Sequence, residues 1–161
     1  VVARDFHVEV EQVVALQDEL WEYIKGPPIF VLNERYDRQY YEEWLQDPDK
    51  VVWLACSQDE PLAFMRMGPA DHDVCTIIVD EKTTSIYAAF TRQPARREGI
   101  ATALLAHALK FARDCGYERC AVPFEPMNPL GSRFWLRYFQ PVCYSFLRNI
   151  DDRLAKGEHR I

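Results

Sequence analysis

The sequence lacks the long apolar runs and the glycine-rich triplets that mark several large protein classes. No stretch approaches the ~18 consecutive apolar residues of a membrane span, and no secretory pattern opens the chain. Only 6 of the 161 residues are glycine, and neither a G-x-G-x-x-G fingerprint nor a Gly-Lys-Ser/Thr loop is present. We therefore expect a cytoplasmic protein with no membrane partner, no Rossmann site and no Walker loop.

Paired cysteines and excess basic charge are also missing. The 5 cysteines are odd in number and contain no C-x-x-C pair, which disfavours a disulfide framework and a zinc site, so no metal is expected. Lys and Arg total 19 against 25 Asp and Glu, a net charge of −6. Nucleic-acid binding needs basic density to neutralise phosphates, so we expect no nucleic-acid partner.

With 48% hydrophobic residues, the chain is long enough to bury one core and too short for two ordinary domains. We expect a single domain over residues 1–150 and a charged tail over residues 151–161. Because the first residue is Val1 rather than Met, the possibility that this chain is part of a longer polypeptide stays open.

Apolar periodicity and turn residues predict an order of elements that is mixed α/β (α+β), with a strand-helix-strand crossover at its centre. Apolar residues that recur every three or four positions predict the longest helices. Gly116 is expected to end the third predicted helix. The predicted helices are residues 8–24, 37–45, 100–115 and 131–138, and the predicted strands are residues 51–56, 62–67, 74–79, 85–91, 119–123 and 142–150.

A basic turn precedes the third helix. One six-residue segment of this acidic chain contains Arg92, Arg96 and Arg97. This local reversal of charge favours a binding site for one anionic ligand over a run of solvated surface charges. Gly99 and Ala101 are small enough to let a ligand approach the backbone, and the first amides of a helix have no intrahelical acceptor. The turn therefore predicts a cradle for phosphate or pyrophosphate.

The motif Arg96-x-x-Gly99-x-Ala101 resembles the Gln/Arg-x-x-Gly-x-Gly/Ala pattern of the GNAT superfamily of acyl-CoA-dependent N-acetyltransferases. It lies between a strand and the central helix, and a buried strand follows that helix, as in the family. The resemblance covers nearly the whole chain. It implies a GNAT-like mixed, mostly antiparallel central sheet, a strand-helix-strand acyl-CoA-binding core and flanking helices.

A second segment, Asn128-x-x-Gly131-x-x-Phe134-Trp135, resembles the family's Asn-x-x-Ala/Gly-x-x-aromatic opening of the next helix. In the family the asparagine commonly bonds the pantetheine arm or orders the loop beside it. From the residues alone, Asn128 is equally an Asx-turn or helix cap before a proline. The two aromatic residues are also ordinary core residues by type.

The resemblance implies acetyl-CoA (coenzyme A) as cofactor. Backbone amides of residues 97–102, with the Arg96 side chain nearby, would hold the pyrophosphate. Main-chain groups at the end of the preceding strand would receive the pantetheine arm, and one strand amide would polarise the thioester carbonyl. The implied cofactor-binding residues are Phe90, Thr91, Arg96, Arg97, Glu98, Gly99, Ile100, Ala101, Thr102 and Asn128.

The implied reaction is attack of a neutral amine on a thioester, which needs a proton acceptor and is helped by a proton donor at the leaving thiolate. Trp135 stands where many family members place a tyrosine as that donor, and Tyr138, one turn later, is the substitute. Glu125 is the preferred base, because it follows the strand at the mouth of the presumed cleft. The alternative bases are Asp80, Glu81 and His72.

The resemblance implies an N-acetyltransferase that acts on a primary amine of a small molecule, peptide or protein. Whether the chain forms a homodimer or is fused to a partner domain stays open. A degenerate GNAT-like domain that binds acyl-CoA, or serves as a structural or regulatory half of a larger protein, is the alternative. A third interpretation is an interaction module built on an aromatic surface. That surface would contain Trp21, Tyr36, Tyr40, Tyr41 and Trp44.

Overall fold

The computed structural model describes residues 6–31, 36–72 and 79–144. It confirms the predicted fold class, because four strands form one mostly antiparallel sheet that helices flank on both faces. The elements in chain order are α1 (Phe6–Lys25), α2 (Arg38–Gln46), β1 (Val51–Ser57), β2 (Glu60–Pro69), β3 (Thr83–Thr91), a short 3₁₀ helix (Gln93–Ala95), α3 (Ile100–Asp114), β4 (Arg119–Ala121) and α4 (Pro129–Tyr138).

Local sequence signals set the helix ends. The Asp37 side chain caps α2 by accepting a hydrogen bond from the Tyr40 amide at 2.9 Å. Gly116 follows α3 with φ 87°, a conformation that glycine adopts without steric cost. The fourth helix begins at Pro129, two residues before the predicted start, because Asn128 caps it and proline is well tolerated in the first turn.

The sheet order is β1-β2-β3-β4. The β1-β2 hairpin turns at Gln58 and Asp59, whose φ values of 49° and 66° match the primed turns that suit the twist of a hairpin. β2 and β3 are also antiparallel, whereas β3 and β4 run parallel. The α3 helix is therefore the crossover between two parallel neighbours, as the sequence predicts.

The pairing of β3 with β4 is short. Thr83–Ser85 of β3 pairs with Arg119–Ala121 of β4, and β4 ends there, two residues before the predicted end. β3 continues to Thr91 while its other edge stays paired with β2. From Ile86 onward, the β3 edge facing β4 has no strand partner among the described residues. This open edge positions the site.

Two apolar clusters cover the two faces of the sheet. On one face, Met65 packs with Leu105 and Ala108 of α3. On the other face, Phe64 packs with Val13 and Leu16 of α1. Because successive residues of a strand point to opposite faces, neighbouring β2 residues serve both layers.

The aromatic surface suggested by the sequence is largely interior, which corrects that interpretation. Trp21, Tyr41 and Trp44 are only 7%, 2% and 4% exposed. Tyr41 and Trp44 pack against Arg66, whose guanidinium carbon lies 5.2 Å and 4.2 Å from their ring centroids. Tyr36 is exposed, but the cluster as a whole is core packing around a buried cation rather than a docking face.

Several predicted segments lie wholly or partly outside the described residues. Of the predicted strand 74–79, only residue 79 is among the described residues. The domain limit at residue 150 and the tail 151–161 lie outside the described residues. Of the predicted strand 142–150, residues 142–144 form no strand and are exposed. Within the described part of the chain, no helix has both the length and the apolarity that a membrane crossing needs.

Candidate active site

A cleft of ≈ 360 Å³ lies along the open edge of β3 and ends at the start of α3. Its wall includes Leu20 and Tyr23 of α1 together with residues of α3 and α4. It also includes Phe64 and Met65, which point to opposite faces of the sheet. The lining of the cleft therefore includes residues from the α1 side of the sheet and from the α3 side.

The turn before α3 has the backbone of an anion cradle. Arg97 and Gly99 have φ values of 69° and 82°, and Gly99 is the N-cap of the helix. The first intrahelical bond runs from the Ala103 amide to the Gly99 carbonyl at 2.9 Å. The amides of residues 100–102 therefore have no acceptor within the helix, which makes this terminus a favourable place for a phosphate group.

Glycine at position 99 is explained by backbone conformation rather than by crowding. A Cβ atom built there meets no heavy atom within 4 Å, so the protein leaves space around this residue. The positive φ, however, makes any other residue strained. The cradle is thus a fixed shape with free volume beside it.

The three arginines of the basic turn have different partners. Arg92 binds Glu19 at 2.7 Å and Glu60 at 2.9 Å and does not line the cleft, so the structure removes it from the predicted anion cluster. Arg96 lines the cleft, but its Nε donates to the Thr91 carbonyl at 2.9 Å. Its guanidinium carbon lies 4.8 Å from the Tyr23 ring centroid, which places the charge on the α1 side.

The charged residues that line the cleft are all arginines. Besides Arg96, they are Arg97 of the cradle and Arg133 and Arg137 of α4, and the lining contains no Asp, Glu, His or Lys. The whole chain carries a net charge of −6, so the charge of the cleft lining is opposite in sign to that of the chain. Such a local positive field attracts anionic ligands.

Asn128 joins α1 to α4 at the cleft. Its Oδ1 caps α4 by accepting from the Gly131 amide at 3.1 Å, and it also accepts from the Tyr23 hydroxyl at 3.1 Å. A Cβ at Gly131 would lie 3.0 Å from the Asn128 Nδ2, so a larger residue would push the asparagine aside. Asn128 is therefore a helix cap, and it also lines the cleft.

The predicted cofactor residues largely converge. Phe90, Thr91 and the 96–102 turn line the cleft except for Glu98, which is exposed outside the lining. The lining residues among the prediction are Phe90, Thr91, Arg96, Arg97, Gly99, Ile100, Ala101, Thr102 and Asn128. Their binding role stays a prediction.

The predicted catalytic residues are less well placed. Glu125 is exposed and outside the lining, and its Oε1 accepts from the Met127 amide at 3.3 Å within its own turn. Tyr138 does line the cleft, with its hydroxyl 3.1 Å from Thr102 Oγ1 in the first turn of α3. Trp135 is 7% exposed, packed in the core and also part of the lining.

None of the alternative bases lines the cleft. Asp80 precedes the other end of β3, where it accepts from Thr83 Oγ1 at 2.8 Å and binds Arg119 at 2.7 Å. These two partners hold the pKa of the Asp80 carboxyl below its usual value, so it stays charged as a structural anion. Glu81 and His72 also lie outside the lining.

Sequence reasoning missed three polar lining residues, Tyr23, Arg133 and Arg137. Arg133 and Arg137 repeat at four residues on a helix, a spacing that places them on one face and that does offer a signal. Tyr23 offered none, because its partner Asn128 lies 105 residues away.

An open strand edge that leads into an amide cradle defines a domain suited to an extended, phosphate-bearing ligand. Residues 13–137 match the model of the Acetyltransferase (GNAT) family, well over half of the chain. The chain therefore belongs to the GNAT family of acetyltransferases, which confirms the predicted family. A search of curated protein sequences finds no significant match.

Solved structures share the fold at low sequence identity. The aminoglycoside N-acetyltransferase AAC(6')-Iy, in complex with a CoA-S-monomethyl-acetylneamine bisubstrate analogue, is 17% identical with a TM-score of 0.69, covering 88% of this chain and 91% of that one. An aminoglycoside acetyltransferase from an uncultured soil metagenomic sample, in complex with sisomicin, is 14% identical with a TM-score of 0.68, covering 94% and 93%. A ribosomal-protein-alanine N-acetyltransferase from Brucella melitensis biovar Abortus 2308 is 15% identical with a TM-score of 0.64, covering 89% and 92%.

Proposed function

We propose that this chain transfers the acetyl group of acetyl-CoA to a primary amine of a small molecule, peptide or protein. The observation that carries the proposal is the continuity of the open β3 edge with the cradle at the start of α3. A pantetheine arm has amides that can pair with a strand edge, and its pyrophosphate end needs amide donors. The cleft supplies both in one line.

In this proposal the amides of residues 97–102 hold the pyrophosphate, and main-chain groups of Phe90 and Thr91 bind the pantetheine arm. A β3 amide at the open edge polarises the thioester carbonyl, as an oxyanion donor does. The Arg96 guanidinium holds the turn through the Thr91 carbonyl rather than by reaching into the cradle. Asn128 orders the opposite wall through its cap on α4.

The chemistry forms a carbon–nitrogen bond as the amine attacks the thioester carbonyl, and the carbon–sulfur bond then breaks with its electron pair on sulfur. A proton must leave the amine and one must reach the thiolate. Two tyrosine hydroxyls line the cleft, Tyr138 and Tyr23. We prefer Tyr23 as the donor, because the Tyr138 hydroxyl contacts Thr102 at the pyrophosphate end.

Glu125 is the predicted base, but an exposed carboxylate outside the lining can act only through water. The acceptor enters from the α1 side, where Leu20, Phe64 and Phe90 are apolar. The similar structures act on aminoglycosides or on a ribosomal protein's alanine, and these two acceptor classes are candidates here.

Thermal stabilisation by acetyl-CoA tests the proposal first. A ligand at ~100 times its dissociation constant adds about 2.7 kcal/mol to the free energy of unfolding. A library of primary amines, which includes an aminoglycoside and peptides with N-terminal alanine, then reports transfer by release of free thiol. Absence of any stabilisation at millimolar acetyl-CoA would contradict the proposal.

The second candidate is a degenerate domain that binds acyl-CoA without catalysis. It is favoured by one observation, that no Asp, Glu or His lines the cleft beside Trp135. Stabilisation by acetyl-CoA with no thiol release above the uncatalysed rate, across the amine library, would support this candidate over the enzyme.

A further inference from the structure

The guanidinium of Arg96 is held at the α1 side of the cleft by contacts that use only part of it. Its Nε donates to the Thr91 carbonyl at 2.9 Å. Its carbon lies 4.8 Å from the Tyr23 ring centroid and 5.6 Å from that of Phe90. The two terminal nitrogens form no hydrogen bond or ion pair with a described residue. A guanidinium that is fixed in this way, with both terminal nitrogens available, is suited to bind a carboxylate.

The carboxylates nearest to Arg96 along the chain or on α1 do not neutralise its charge. Glu19 of α1 instead binds Arg92, which donates to it through Nε at 2.9 Å and through Nη2 at 2.7 Å. Glu22 and Glu98 are exposed and lie outside the cleft lining. The half-buried Arg96 therefore presents a positive charge to the cleft with no carboxylate partner among the described residues.

The wall around this guanidinium is apolar and aromatic. Leu20, Tyr23, Phe64 and Phe90 all line the cleft, and the Tyr23 and Phe90 rings lie 6.4 Å apart between centroids. A charge contact made against such a wall is stronger than the same contact in water, because the local dielectric is lower. This side of the cleft therefore suits an apolar molecule that carries a negative charge, and it offers no partner to a second cation.

We propose that the acceptor is an amine with an apolar body and a carboxylate, and that the terminal nitrogens of Arg96 bind this carboxylate. The inference rests on the proposed transfer to a primary amine and names the class of acceptor. It disfavours an aminoglycoside as acceptor, because the guanidinium repels the several ammonium groups of such a molecule.

Three amines that share a benzene ring and an aminomethyl group test the proposal. Opposite the aminomethyl group, para-(aminomethyl)benzoate has a carboxylate, benzylamine has hydrogen, and para-xylylenediamine has a second cationic group. In thiol-release assays at saturating acetyl-CoA, the wild type should have a kcat/KM for the benzoate at least about tenfold above that for benzylamine, the effect of a charge-assisted hydrogen bond. The diamine should be the poorest acceptor. Equal values for the three amines, or a preference for the diamine, would overturn the proposal.

Arg96→Gln removes the charge and retains a side-chain NH₂ group that can donate to the Thr91 carbonyl. This variant should acetylate the benzoate and benzylamine with nearly equal kcat/KM while acetyl-CoA still stabilises it. Arg113→Gln is the matched control, since Arg113 is an exposed arginine in the last turn of α3 and does not line the cleft. It should keep the wild-type order of the three amines.

Two results in Arg96→Gln would overturn the carboxylate site. One is an unchanged order of the three amines, and the other is loss of stabilisation by acetyl-CoA, which would mean that Arg96 acts on the cradle instead. If acetyl-CoA stabilises the wild type but none of the three amines releases thiol, the acceptor class is wrong while cofactor binding stands. If acetyl-CoA does not stabilise the wild type, the proposed function fails as well.

Discussion

The two sides of the cleft present different chemical groups to a ligand. On the α3 side, the cleft offers backbone amides without an acceptor in the helix, the Thr102 hydroxyl, and arginines that form no ion pair with a described residue. On the α1 side it offers apolar and aromatic side chains, and its one guanidinium, Arg96, is already bound to Thr91 and stacked on Tyr23. The α3 side is therefore suited to bind an anion, and the α1 side is suited to bind a flat or apolar group.

This difference explains why the donor is easier to infer than the acceptor. A phosphate requires amides and positive charge in a fixed arrangement, and those features are specific enough to recognise. An apolar wall accepts many shapes and discriminates between them weakly.

The largest effect is expected for Gly99→Glu, because it adds a negative charge to the cradle and strains a backbone position with φ 82°. Stabilisation by acetyl-CoA, measured by thermal unfolding, should disappear. An undiminished response would mean that the cofactor binds elsewhere.

Gly116→Glu provides the control for strain. Gly116 also has a positive φ, 87°, and a Cβ there also meets no heavy atom within 4 Å, but it follows the opposite end of α3. This variant should lose free energy of unfolding to a similar degree while keeping its response to acetyl-CoA. Loss of the response in both variants would show that stability alone controls binding.

A smaller and more selective effect is expected for the two tyrosines. Tyr23→Phe should lower kcat at least about tenfold with little change in KM for acetyl-CoA, since loss of a proton donor affects the reaction step. Tyr138→Phe should raise KM for acetyl-CoA by a few-fold with kcat nearly unchanged, because its hydroxyl contacts Thr102. Steady-state thiol release with the amine found in the library measures both.

The reverse pattern, with kcat lost in Tyr138→Phe and retained in Tyr23→Phe, would assign the proton to Tyr138 as the sequence predicts. Equal losses of kcat would mean that neither hydroxyl acts alone. In each case, stabilisation that is retained at saturating acetyl-CoA shows that the variant is folded and keeps its cofactor site.

The smallest effect is expected for Glu125→Gln, which should change kcat by less than about threefold. The carboxylate is exposed and caps its own turn, so bulk water can replace it as a proton acceptor. A profile of kcat against pH checks this expectation. A loss of about a hundredfold, with disappearance of an acidic limb, would establish Glu125 as the general base.

The cradle was predictable from sequence because its parts are neighbours. Small residues, a helix start and a preceding strand lie within one short segment, so local rules suffice. The same rules misjudged Arg92, whose partner Glu19 is 73 residues away, and offered nothing on Tyr23. Long-range contacts decide where a side chain points, and one sequence does not encode them visibly. The predicted start of α4 is two residues late, since the sequence leaves Asn128 open as either a helix cap or a ligand contact.

The hydrogen bond between Tyr23 and Asn128 also bears on the order in which the fold assembles. It joins residues 105 apart, whereas Arg119 and Thr83, at the paired end of β3, are 36 apart. Longer loops close at a greater entropic cost and contacts of greater separation form more slowly. We expect the sheet to form before α1 closes over the cleft, and amides at the start of α4 to exchange with solvent before those of β2. The cleft would then be the part of the molecule that forms last and opens first.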